Sequence, residues 1–124
     1  MEVISFDEFA ELLDEVANEL PEEIFKNLNG GISLLPDVLE HPENSGLFVL
    51  GQYHSGGYLG RYITIQYGSF IELYGRSSRS HLRSQIDRVL RHEFLHHLES
   101  MAGEKELEIQ DAIQLARYQS RGDL

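Results

Sequence analysis

Between Arg91 and Ser100 the chain reads RHEFLHHLES, which puts His92, Glu93, His96 and His97 inside six residues. His92-Glu93-Phe94-Leu95-His96 is an H-E-x-x-H pattern. On a helix, residues i and i+4 stand one above the other, so both imidazoles can reach a single ion. Neutral imidazole nitrogens suit zinc, which keeps an open position for water in catalytic sites and brings the pKa of that water to about 7. Glu93 follows the first ligand and can take a proton from the water, so His92 and His96 are expected as metal ligands and Glu93 as general base.

The neighbours of the motif are weighed in the same way. His97 lies about 100° round the helix from His96, so a packed or capping role is expected for it. Glu99 is three residues beyond His96, but Glu99 and His92 are separated by roughly 10 Å along one axis. Glu99 is therefore expected to support His96 from outside the ligand set, or to face solvent. A third ligand should follow the turn expected at Ala102-Gly103. Glu104 and Glu106 sit where the helix dipole favours acids in any case. Glu108 and Asp111 lie further in, where an antiparallel helix would return toward His96.

These residues need a helix to carry them and a scaffold to hold it. Ser80 is a candidate cap for a long helix running to about Met101, with Gly103 placed to stop it and a last helix from about Glu104 to Tyr118. Leu82, Ile86 and Val89 form its apolar stripe. Glu93 and His96 fall near that stripe and His92 borders it, so the site is expected to face inward, toward a sheet. At the other end, Ser5 and Glu8 form a capping-box pair, and Ile4 with Phe9 a hydrophobic staple. Phe6, Phe9, Leu12, Leu13, Val16 and Leu20 make a helical stripe. Pro21 suits the first position of a short helix to about Leu28, which NGG at 29–31 ends.

Between the helices lie short apolar runs bounded by glycine and proline: Ile32–Leu35, Leu47–Tyr53 and Tyr62–Tyr67. They are expected to be strands. The segment 69–75 fits either a strand or a turn of helix. The order helix, helix, strands, helix, helix indicates an α+β fold.

Bulk properties bound the function. The 124 residues suit one domain, and 41% are hydrophobic, enough for an ordinary core. There is no cysteine, hence no disulfide and no thiolate metal site. No run approaches the roughly 18 apolar residues of a membrane span. The acidic start lacks the basic n-region of a signal peptide, so a cytoplasmic protein is expected. The net charge of −11 repels phosphate backbones. Arg76, Arg79, Arg83, Arg88 and Arg91 make one local basic cluster, which is expected to balance nearby acids rather than to bind nucleic acid.

Four segments in order resemble the small bacterial zincin-like metallopeptidases: ELPEEIFKNL at 19–28, LGQYHSGGYLGRYITIQYGSFIEL, RVLRHEFLHHLE with its doubled histidine, and IQDAIQLARY. The resemblance covers most of residues 5–118. It implies a minimal zincin fold: N-terminal helices, a small mixed sheet, an active-site helix and a C-terminal helix. It also implies zinc as cofactor, a peptide or protein substrate, His92 and His96 as ligands and Glu93 as base. Aligning IQDAIQL with the closing segment makes Asp111 the third ligand, with Glu108 next. The chain departs from the pattern after the second ligand, where glycine arrives only at 103. The expected reaction is hydrolysis of a peptide lying along the free edge of the strand at 61–67, with Tyr118 and His97 as candidates to stabilise the oxyanion. Two other classes fit the same residues: a catalytically weak zinc scaffold that binds a partner, and a metal-dependent RNA-processing hydrolase.

Overall fold

The structure, a computed structural model, describes residues 3–58 and 60–116, and of 104–116 the backbone only. Helix α1 spans Phe6–Asn18. Its capping box is formed: the Glu8 amide donates to Ser5 Oγ (3.1 Å), and the Ser5 amide donates to Glu8 Oε1 (3.0 Å). The Ser5 amide, and after it the Ser5 hydroxyl, hold the Glu8 carboxyl below its ordinary pKa. Phe9, Leu12, Leu13 and Val16 are buried along one face of the helix. After Pro21 the chain makes only a short 3-10 turn, Glu22–Phe25, in place of the longer helix the sequence suggests.

Among the described residues five strands follow: β1 Gly31–Leu35, β2 Glu40–His41, β3 Asn44–Phe48, β4 Gly51–His54 and β5 Tyr62–Gln66. The apolar run 47–53 is thus divided between two strands, and they belong to different sheets. β2 and β3 form a two-stranded sheet, while the main sheet has the order β1-β5-β4. β1 runs parallel to β5 and β4 antiparallel to it, so the main sheet is mixed. The pairing Gly51↔Ile65, Tyr53↔Ile63 and Ile32↔Ile63 puts these residues on one face. Ile63 and Ile65 on that face are fully buried. The opposite face is more polar: His54 Nε2 lies 3.0 Å from Thr64 Oγ1, and the His54 ring stacks on Tyr62.

The segment after β5 is helical. α2 covers Tyr67–Tyr74, and α3 covers Arg79–Ala116. α3 packs on α1 and on β4, burying Leu82, Ile86, Val89, Leu90 and Phe94. Each such side chain contributes about 1.5–3 kcal/mol by leaving water. Two expectations for this helix are corrected. Its cap is Ser78, whose Oγ accepts from the His81 amide at 3.1 Å, so Ser80 lies inside the first turn. It also continues through Gly103 without a break. A single glycine costs a helix interior only about 0.5–1 kcal/mol, which the flanking helix formers offset. The separate C-terminal helix expected from 104 is therefore the distal part of α3. The arginines engage local partners: Arg83 meets Glu19 at 2.6 Å and Glu15 at 3.7 Å, Arg91 meets Asp87, and Arg88 meets Gln85. The fold class is α+β. Among the described residues no helix is long and apolar enough to cross a membrane.

Candidate metal centre

His92 and His96 stand on successive turns of α3, and their rings are nearly perpendicular (86°). Their Nε2 atoms are 3.2 Å apart. Two nitrogens bound to one tetrahedral zinc at about 2.05 Å would be separated by about 3.3 Å. The pair thus fits the donor spacing of one ion without rearrangement. Glu99 Oε1 lies 3.7 Å from His96 Nδ1. That is too long for a hydrogen bond, but the carboxylate favours the proton on Nδ1 and leaves the Nε2 lone pair for a metal. Glu99 is exposed and stands outside the pair of nitrogens.

Glu93, between them in sequence, is buried, only 6% exposed. Burial pushes its carboxyl above the ordinary pKa, and the neighbouring His92 and His96 charges pull it back only in part. The expectation of an inward-facing site holds for Glu93 alone. His92 and His96 are exposed on the flank of the helix. The reason is angular. The buried stripe runs through Ile86, Leu90, Glu93 and His97, and at 100° per residue His96 and His92 fall about 60° and 100° to one side of Glu93.

That side faces β4. An open cleft of about 570 Å³ lies between them, lined by Gly51, Tyr53, Ser55, His92, Glu93 and His96 among others. β4 approaches closely because Gly51 has no side chain: a Cβ there would stand 2.9 Å from Val89 Cγ1 and 3.1 Å from Ile65 Cδ1. The strand expected to receive a peptide, 61–67, is the central one, with β1 and β4 occupying both its edges. The free edge beside the motif belongs to β4. Gln66 N donates to Leu50 O, so residues 50, 52 and 54 pair inward. By alternation, the backbone groups of Gly51 and Tyr53 face the open edge.

His97 is fully buried. Its Nδ1 lies 2.9 Å from Tyr53 Oη and its Nε2 2.8 Å from the Lys26 carbonyl. With both nitrogens engaged it cannot reach an oxyanion, and the packed role is the one observed. Tyr118, the other oxyanion candidate, lies outside the described residues. Asp111 and Glu108 lie on the continuous α3, about 22 and 18 Å along the axis from His96, and their side chains are outside the described residues. Among the described residues no antiparallel return brings either toward the histidines. Among the described residues no group of three or more His, Cys, Asp or Glu side chains is placed to hold one ion. Sequence reasoning does not single out Gly51 and Tyr53, for which the only available signal is their place in LGQYHSGG.

A conserved hypothetical protein from Thermus thermophilus has a solved structure similar to this one: 31% sequence identity and a TM-score of 0.73, over 81% of this chain and 99% of that one. The chain belongs to the same family as that protein. No family model matches the sequence, and no curated protein does. The kinship therefore supports the shared fold, and the chemistry rests on the cleft itself.

Proposed function

We propose that the protein is a zinc-dependent peptidase. The observation that carries this reading is the 3.2 Å separation of His92 Nε2 and His96 Nε2 beside the buried Glu93. A resident zinc, held by both histidines, would polarise a carbonyl and acidify water. Glu93 takes the proton from the attacking water and hands it to the leaving amine. Its desolvated carboxylate is a stronger base than an ordinary one, which suits the first of these transfers. An extended substrate pairs with the backbone groups of Gly51 and Tyr53 on the open edge of β4, in the manner of strand addition. This recognises main chain rather than sequence.

Asp111 remains the proposed third ligand, with Glu108 next. Either requires α3 to break, and Gly103, the glycine that lies between His96 and these acids, is the position for it. Dye-labelled casein, offered to zinc-loaded wild type and to Glu93→Gln of equal zinc content, tests the function. Cleavage by the wild type alone supports the peptidase. Equal cleavage by both, or by neither, overturns it.

A further inference from the structure

His97 joins three separate elements, and the tautomer of its neutral ring follows from its partners. The Lys26 carbonyl can only accept, so the hydrogen bond at 2.8 Å places the ring proton on Nε2. Nδ1 then carries a lone pair, and Tyr53 Oη donates its hydrogen to it at 2.9 Å. The Tyr53 hydroxyl has no second hydrogen, so while this bond stands it cannot donate to a substrate oxyanion. Its role is to hold rather than to react.

The turn that presents the Lys26 carbonyl is itself built for the purpose. Leu28 N donates to Phe25 O at 3.0 Å. Lys26 has φ −59° and ψ 132°, and Asn27 has φ 67°. These are the angles of a type II turn, whose central peptide is flipped relative to type I and normally asks for glycine at the third position. Asn27 tolerates the left-handed conformation at some cost. The flipped peptide is the one that carries the carbonyl accepting from His97.

We propose that Tyr53 and His97 form a latch that registers the free edge of β4 against the metal-binding turn of α3, making both of them positioning residues. The latch follows from strand geometry. The Tyr53 side chain faces α3 while its backbone groups face the open edge, so fixing the ring at His97 fixes the groups a substrate strand would meet. Gly51, two residues earlier, makes the other close approach, to Val89. His97 is also the residue next to His96. One half-buried hydrogen bond thus sets the strand edge relative to the turn that carries the site. The value of the latch to catalysis rests on the peptidase reading; its existence does not.

The test uses Tyr53→Phe, which keeps the ring and removes the hydroxyl. Hydrogen exchange of the Gln52 and His54 amides, which pair with β5, should quicken by about tenfold, the contribution of one hydrogen bond, while exchange in α1 and the zinc content stay at wild-type levels. With dye-labelled casein, KM should rise while kcat stays within about twofold, as expected when positioning of the bound strand is lost rather than chemistry. Unchanged exchange of these two amides would overturn the latch. So would an equal quickening in α1, which signals general loosening, or loss of zinc, which places Tyr53 in the metal centre. If wild type cleaves no casein, the peptidase reading fails, and the exchange measurement still decides the latch.

Discussion

His92 Nε2 and His96 Nε2 face each other at 3.2 Å across one turn of α3. Two imidazoles at this distance either share a proton or share an ion, and the second is what the proposed centre requires. His92→Ala and His96→Ala should each lose stoichiometric zinc on dialysis, measured by elemental analysis, with helical circular dichroism retained. Both side chains are exposed, so their removal leaves the core intact. Zinc held at one equivalent by either variant would show that the pair is not the centre.

Glu93→Gln should stabilise the metal-free protein at neutral pH, by roughly 0.5–2 kcal/mol. The sign follows from linkage. Burial raises the Glu93 pKa in the folded state, so between the ordinary carboxylate value and the folded one the native protein binds more protons than the unfolded chain. Stability therefore falls as pH rises through that window. The advantage of the glutamine variant should shrink as pH drops below the ordinary carboxylate range. Urea titrations of both proteins at about pH 4 and pH 7 check it. A gap that widens on acidification would contradict the assignment.

Gly51→Ala should destabilise the protein by about 1–3 kcal/mol, as overpacking does. The added Cβ meets Val89 Cγ1 at 2.9 Å, and a valine on a helix has little rotamer freedom with which to yield. The same substitution at Gly46, where nothing stands within 4 Å, meets only its positive φ. Denaturant midpoints of the two variants separate crowding from backbone strain. No loss in Gly51→Ala would mean that β4 does not depend on the close approach.

Zinc titration into Asp111→Ala and Glu108→Ala tests the third ligand. Two histidines hold zinc weakly, so removing the true third donor should lower affinity at least about tenfold, with Asp111→Ala the more affected. A loss in either variant would show that α3 breaks when metal binds. Wild-type affinity in both would leave α3 continuous and place the third donor elsewhere.

Local signals carry much of the fold. The Ser5/Glu8 box, the stripe of α1 and the strand β5 are set by neighbours in sequence, and each is readable there. What depends on contacts between distant segments is not. The break of the 47–53 run is made by Val49 N donating to Leu39 O and Leu50 O accepting from Gln66 N, and no window of sequence contains those partners. Strand order is likewise non-local, which is why β5 reads as an edge from sequence and is central in the sheet. At the site, the i, i+4 spacing identifies His92, Glu93 and His96, but burial separates their roles: Glu93 and His97 turn in, and the two candidate histidine ligands stay on the flank. The stop expected at Gly103 relies on glycine as a helix terminator, a preference weak enough for neighbouring helix formers to override.

The most direct measurement is zinc-edge anomalous diffraction from a crystal of the zinc-loaded protein. The account predicts one strong peak about 2.0–2.1 Å from both His92 Nε2 and His96 Nε2. A peak bound to neither histidine, or no peak from protein carrying one equivalent of zinc, would contradict it.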